Sequence, residues 1–542
     1  MTEQLVLPSY DDPVAAGAVE AIGGRPGRHA RVGDARFWTP TRVLIALTLL
    51  TSLLGFAQKA PCRDGSTWVN EHQYTRACYT DVVALYSAEG LATGQRPYYD
   101  HPVEYPVVIG AVMQLSSLVT RAVTAAFPDG RTDQANTALA KADTPAARTA
   151  RDYAVSIARG RHFYDITWVL VTICALVVTV TTARLAGRRP WDAALFALSP
   201  ALLVHATTNW DLVAMALAGL GLLAWARRRP VVAGVLLGLA TATKLYPLLF
   251  LVPLLFLCWR AGKLRSWAAV AAATAVVAVG VTAPVYLTAP SFADVKGVQT
   301  KVLGSPLSRI GSEGLVKALA PHQQVNGAEA TNAVYRFFEL NQTRGADWDS
   351  LYLQVQHLRT DKGALKGLRN ALADAVSDRG SPPTSLNNLV AVLVLLVMAG
   401  IGLLALKAPR RPRVPQLLFL TLTGFLLANK VDSPQYVLWL VPLAVLARPR
   451  WGPFLAWQAA EVLVLLSRFY FFVSNDKPGE GIDIGWFFAA VLLRDLLLVV
   501  LAAFVVRDIL RPEHDVVRRG GADDPAGGVL EGAPDRRTVA VA

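Results

Sequence analysis

The chain has 542 residues, 53% hydrophobic and only 17% charged, with a mean hydropathy of +0.37, a balance that excludes an ordinary soluble enzyme and suits a polytopic membrane protein. A formal charge of +13 does not argue for nucleic acid, because the basic residues punctuate apolar runs in short groups rather than forming one stripe. The four cysteines have no zinc-type spacing.

Residues 1–40 are rich in Gly, Pro, Ala and Arg and contain no sustained apolar stretch, which reads as a disordered cytoplasmic tail rather than a signal peptide. A helix needs roughly 20 apolar residues to cross the hydrocarbon core. Runs that meet or approach this length lie near 42–58, 103–127, 163–186, 191–208, 211–226, 231–246, 247–260, 266–288, 386–406, 415–430, 434–447, 453–473 and 484–507. The basic groups RLAGRRP, WARRRP, WRAGKLRS, LKAPRRPRV and ARPRW fall in alternate connections and mark cytoplasmic loops. If 103–127 crossed, RLAGRRP would lie outside and every later basic group would be inverted with it. That run is therefore expected to lie along the membrane on its outer side; the competing reading is that it spans and another run does not. The expectation is an all-α polytopic membrane protein of about twelve transmembrane helices over 41–507, with both termini cytoplasmic and a second disordered tail at 508–542.

This topology puts 58–162, the turn at 207–211, the long segment 289–385 and KVDSPQ at 430–435 on the outer face. Long connections of this kind are usually functional. Cys62 and Cys78 flank a polar part of the first outer loop, where an exterior position would permit a disulfide; Cys174 and Cys258 lie in apolar runs.

Ionisable residues at a membrane face are costly and mark a functional path unless they form structural pairs. Asp81 and Glu104 sit in the first outer loop, and Asn209 and Asp211 open an apolar run. Lys244 precedes Tyr246-Pro247, and Lys430 precedes Asp432, Ser433, Pro434, Gln435 and Tyr436. Arg309 and His322 lie in the second long loop. Each has a plainer reading. Thr80 and Asp81 suit the start of the helix VVALYSAEG, as Asp211 suits the start of its own; Lys244 can snorkel to headgroups; His322 can be a surface residue. Arg494, Asp495 and Glu461, inside apolar runs, suit structural pairing. Asp347, Asp349 and Glu339 form a weaker candidate cation site, since such a site needs several converging oxygens; no metal or other cofactor is expected. GLATATK lacks the second glycine of a phosphate-binding loop, so a nucleotide-driven machine is not expected.

In chain order, an acid after the first span, GQRPYYDHPVEYPVV, NWD opening a span, GLATATKLYPLLFLVPLL and NKVDSPQYVLWLVPLAVLA resemble the C-superfold membrane glycosyltransferases. Within these, the sequence resembles glycosyltransferase family 87, the polyprenol-phosphate-mannose-dependent α-mannosyltransferases of actinobacteria. The resemblance spans roughly 42–507 and is most specific in the SPQY segment. It implies a polyprenyl-phosphate sugar donor, a glycolipid or glycan acceptor of the cell envelope, membrane lipid as surroundings and no nucleic acid. It further implies an active site on the extracytoplasmic face of the plasma membrane, membrane-parallel helices in the first outer loop and an acidic base there, which falls on Asp81.

Lys244, His322 and Lys430 are carried over more loosely, and the Cys62–Cys78 segment and the polar stretch 128–160 depart from the family pattern. A phosphate ester leaves as an anion, so one base suffices, unlike the paired carboxylates of a glycosidase. Lys244, Lys430 and Arg309 are the candidates to hold the leaving phosphate, with His322, Glu104, Asn209, Asp211, Gln435 and Tyr436 completing the substrate site. Arabinose as the transferred sugar, or a lipid-linked sugar transporter or flippase, are the alternatives. The charges gather at one face rather than at the midplane, which disfavours transport.

Overall fold

In a hydrocarbon environment a backbone must satisfy its own N–H and C=O groups, so apolar runs fold as helices. The computed structural model describes residues 5–22, 37–63, 72–127, 145–295, 298–325, 327–357, 383–519 and 523–536. The principal helices, in chain order, are α1 (Pro13–Ile22), α2 (Pro40–Lys59), α3 (Asp81–Ala88), α4 (Val107–Ala126), α5 (Pro145–Leu185), α6 (Asp211–Ala226), α7 (Pro230–Thr243), α8 (Leu251–Arg260), α9 (Leu264–Thr288), α10 (Arg336–Thr343), α11 (Thr384–Lys407), α12 (Val414–Ala428), α13 (Val437–Ala447), α14 (Trp451–Asp476) and α15 (Ile484–Leu510). Among the described residues, seven helices are long and apolar enough to cross a membrane, those of α2, α4, α5, α9, α11, α14 and α15. Shorter apolar helices of 10–17 residues occupy the runs expected at 211–226, 231–246, 247–260, 415–430 and 434–447. The protein is a polytopic helical membrane protein.

Three features differ from the sequence expectation. The run at 191–208 is broken into a 3-10 turn at Pro190–Ala193 and short helices at Ala194–Ala197 and Pro200–His205. Pro200 cannot donate to the preceding turn, and Ser199 caps a new start by accepting from Leu202 N. Secondly, the second long loop, expected within an all-α fold, holds a four-stranded antiparallel sheet: β1 (Ser291–Val295), β2 (Val298–Leu303), β3 (His322–Val325) and β4 (Ala328–Asn332), in the order β2-β1-β4-β3. Phe292 pairs with Lys301 on one side and Thr331 on the other, and His322 also faces Thr331. Strands as short and polar as HQQV and AEATN carry no alternating apolar signal.

Thirdly, both expected disordered tails are partly packed. Asp11 pairs with Arg189 at 2.7 Å and Asp12 accepts from Trp451 N at 3.0 Å. Beyond α15, Asp515 pairs with the buried Arg413 at 2.7 Å, Asp535 with the buried Arg260 at 2.5 Å, and Asp524 accepts from Val414 N at 2.8 Å, while Leu530 and Ala526 join the core. Asp11, Asp515 and Asp535 thus add counter-charge to buried arginines of the basic connections, which also bond Asp192 (Arg189) or main-chain carbonyls (Arg260, Arg413).

Packing follows the residues available. α12 and α13 are buried almost all round and form the centre of the bundle, so the link between them, 429–436, becomes its inner end wall. Gly234 and Gly238, four apart on α7, let α9 approach: a Cβ at these positions would lie 2.5 Å from Val270 O and 2.8 Å from Thr274 O. Thr48 Oγ1 and Thr179 Oγ1 lie 2.7 Å apart and join α2 to α5; one hydroxyl donates across this contact while the other donates to the carbonyl four residues back, Leu44 O or Ala175 O. α4 buries Val107, Gly110, Met113, Ser117, Thr120 and Thr124 on one stripe. Part of the polar stretch 128–160 that departs from the family pattern, residues 128–144, lies outside the described residues.

Candidate active site

Before α3, a short helix at His72–Thr75 leads into residues 76–80, which are held from both sides. The Cys62–Cys78 disulfide ties them to the end of α2. Lys59 Nζ donates to Tyr79 O at 2.7 Å and Gln58 Nε2 to Ala77 O at 2.5 Å. On the other side, Thr80 Oγ1 donates to Thr207 O at 2.6 Å and Asp81 N to Thr208 O at 2.8 Å, while Tyr164 OH and Thr207 Oγ1 lie 2.8 Å apart. Thr80 also accepts from Val82 N at 3.2 Å and so caps α3. Asp81 is thus the first residue of a capped helix, where a carboxylate is favoured. The plain helix-start reading is borne out, and it leaves the Asp81 carboxyl at a cavity wall.

Asp81 stands in the wall between two cavities, and Tyr79, Ser433 and Gln435 share that wall. The smaller cavity, about 200 Å³, is lined also by Lys59, Tyr74, His205, Arg468, Phe469 and Phe472. The larger, about 370 Å³, is lined by Glu104, Tyr105, Lys244, Arg344, Tyr436 and Trp439 among others. Burial pushes the Asp81 carboxyl up to about 6, against the lowering effect of a Tyr79 hydroxyl hydrogen bond and of Lys244; Asp211 raises it further and Arg468 lowers it. Burial likewise raises the Tyr79 hydroxyl, with the Asp81 charge adding to it.

Lys244 Nζ lies 2.9 Å from Asp211 Oδ1 and over the rings of Tyr105, Tyr436 and Trp439 at 4.9, 5.4 and 5.9 Å. Tyr436 stacks on Trp439 at 4.0 Å, and Trp439 on Tyr246 at 4.4 Å. Asn209 Oδ1 accepts from Asp211 N at 2.9 Å, which orients the start of α6.

Of the residues singled out in the sequence, Asp81, Glu104, Lys244, Gln435 and Tyr436 line the larger cavity, and Asp211 meets it through Lys244. Glu104 is raised by burial and by the neighbouring Glu89, with Arg344 opposing. Asn209 supports Asp211 and lines neither cavity.

Three candidates are not brought there. Arg309 donates to Gly304 O at 3.0 Å and Ala318 O at 3.3 Å and pairs with Glu313 at 3.2 Å, within its own loop. His322 sits on β3 between Thr331 at 3.1 Å and Glu329 at 3.4 Å. Lys430 Nζ is engaged by the carbonyls of Gln342, at 3.4 Å, and Arg344. The three acids of the candidate cation site diverge: Asp349 pairs with Arg468 at 2.8 Å and Glu339 with Arg336 at 2.6 Å, while Ser433 Oγ donates to Asp347 Oδ2 at 3.4 Å. Arg494 pairs with Asp432, Asp495 and Glu461 at 3.0, 2.6 and 3.8 Å, as the structural reading expected.

Sequence reasoning missed Lys59, Tyr79, Tyr105, His205, Arg344 and Arg468. Arg468 did carry a signal, a cation inside an apolar run. Arg344 did not, since nothing separates it from other loop arginines.

The site is thus an acid between two cavities, faced by cations at one end of a helical bundle. Residues 162–310 match glycosyltransferase family 87. The match supports membership of that family, and with it a membrane glycosyltransferase with sugar donor, acceptor and membrane lipid as partners. It takes in α6 and α7 with Asp211 and Lys244, whereas Asp81 lies before the matched residues. No curated protein matches the chain.

Proposed function

We propose that this family 87 protein transfers a sugar, mannose first among the candidates, from a polyprenyl-phosphate donor to a hydroxyl of a cell-envelope glycolipid or polysaccharide, on the extracytoplasmic face of the plasma membrane. The observation that carries the reading is Asp81 in the shared wall of two cavities, with a cation-bearing aromatic chamber on one side. The donor occupies the larger chamber and the acceptor hydroxyl enters from the smaller. Asp81 takes the hydroxyl proton as that oxygen attacks the anomeric carbon; the bond from that carbon to the phosphate oxygen breaks with inversion, and the phosphate departs with both electrons of that bond. Cations in the chamber hold the charge that grows on it. Tyr79 keeps the Asp81 carboxylate oriented and favours its ionised form.

The test is a panel of polyprenyl-phosphate sugars offered to the purified protein in nanodiscs, with linkage analysis of the product. Asp81→Asn is expected to lower transfer by roughly a hundredfold or more while the thermal unfolding curve stays unchanged. Transfer at the wild-type rate by this variant removes Asp81 as the base. Movement of labelled lipid-linked sugar across sealed vesicles, with no new glycosidic bond, replaces the transferase by a transporter.

A further inference from the structure

Among the described residues, two cations line the larger chamber, Lys244 and Arg344, and they are not equivalent. Lys244 is matched by Asp211 at 2.9 Å and enclosed by three rings, so its charge is already compensated. The Arg344 guanidinium has no ion pair or hydrogen bond among the described residues and faces Glu104 only at longer range.

Its placement is built. Arg344 follows the last residue of α10, and Phe337, Leu340, Asn341 and Arg344 all line the chamber. Their spacing of three, four and seven residues puts them on one helical stripe. That stripe runs from apolar to cationic, which matches the first isoprene units and the phosphate of a prenyl phosphate. The end of the stripe is fixed from below. Lys430 Nζ donates to the carbonyls of Gln342 and Arg344, and Asp347 N donates to Lys430 O at 2.8 Å. An ammonium suits the partial negative charge of a helix C-terminus.

We propose that Arg344 is the anchor of the donor's phosphate and that Lys430 is the residue that positions it. The inference rests on the polyprenyl-phosphate reading above. The chemistry agrees: a guanidinium fork meets two phosphate oxygens at once, which an ammonium cannot do. Burial and the Arg344 charge together lower the Lys430 ammonium to about 8, so two cations crowd this corner and an arriving oxyanion relieves them.

The test measures the donor KM, and inhibition by a short-chain polyprenyl phosphate, for protein in nanodiscs. Arg344→Gln is expected to raise both the KM and the inhibition constant roughly tenfold to a hundredfold, with Arg344→Lys in between. Lys430→Met is expected to raise them too, but to add little in the Arg344→Gln background, because it acts through the same group; Lys430→Arg should restore most of the loss. Unchanged KM and inhibition in Arg344→Gln overturn the anchor, and full additivity of the two substitutions overturns the positioning role. Inorganic phosphate competing as well as the lipid phosphate overturns the lipid assignment. Loss of lipid-phosphate binding in Arg344→Gln, in a protein that transfers no sugar from any donor, keeps the anchor and removes the transferase reading.

Discussion

Asp81 combines two conditions that pull in opposite directions. Its place at a capped helix start and the Tyr79 hydroxyl favour the carboxylate, whereas burial disfavours it, and burial wins, leaving the group near 6. A base must be ionised to accept a proton, so kcat/KM is expected to fall on the acid side through about pH 6 rather than near the ordinary aspartate value. Tyr79→Phe removes a contribution that lowers this value, so its acid limb should move to higher pH. The pH–rate profiles of the two proteins check this, and a limb that stays in place in Tyr79→Phe would remove the hydrogen bond from the account. The acid itself was legible because a carboxylate close to a membrane face is conspicuous. Its neighbours Lys59 and His205 were not, because nothing local in the sequence says that the end of α2 and the 205–208 turn meet at one point.

The helices were legible as elements, since long apolar runs have few other ways to satisfy their backbones. Their mutual approach was less so. Gly234 and Gly238 stand where α9 comes against α7, whereas Gly280, on α9 itself, has open space where a Cβ would go. Gly234→Val is expected to cost about 1–3 kcal/mol through overpacking, and Gly280→Ala to be neutral or slightly stabilising. Thermal unfolding in a fixed detergent separates the two; equal effects would mean that the α7–α9 contact does not limit stability. The sheet in the second long loop escaped the sequence reading because its strands are short and polar and gain their order from pairing across some forty residues. The broken run at 191–208 escaped it for the opposite reason, because apolar composition masked the interruption at Ser199-Pro200.

Over the whole molecule, charge is sorted between the two ends of the bundle. The candidate active site occupies one end, and the basic connections occupy the other, where the acids of the C-terminal segment cover them. Arg413, about 1% exposed, donates to Asp515 and to the carbonyls of Leu446 and Ala447. Asp515→Ala leaves this guanidinium buried without its counter-charge and is expected to cost about 3–5 kcal/mol. Arg413→Met combined with Asp515→Leu should recover much of that, because an apolar pair has no charge to desolvate. The exposed Arg96–Asp100 pair should be replaceable with no measurable change, as solvent screens it. Unfolding midpoints of these variants check the ranking; a harmless Asp515→Ala would mean that the C-terminal segment adds nothing to the fold.

By itself the sequence determined that the chain is a many-helix membrane protein, that its basic groups alternate along the chain, and that one loop acid near a span end was the residue to watch. Each of those is a local property, set by hydropathy over a score of residues or by a charge too costly to bury idly. The tertiary structure alone decided which cations line the cavities beside that acid. Arg309, His322 and Lys430 are engaged by partners of their own, while Arg344 and Arg468 arrive from distant parts of the chain, because the position of a side chain depends on packing between elements that no run of neighbouring residues encodes.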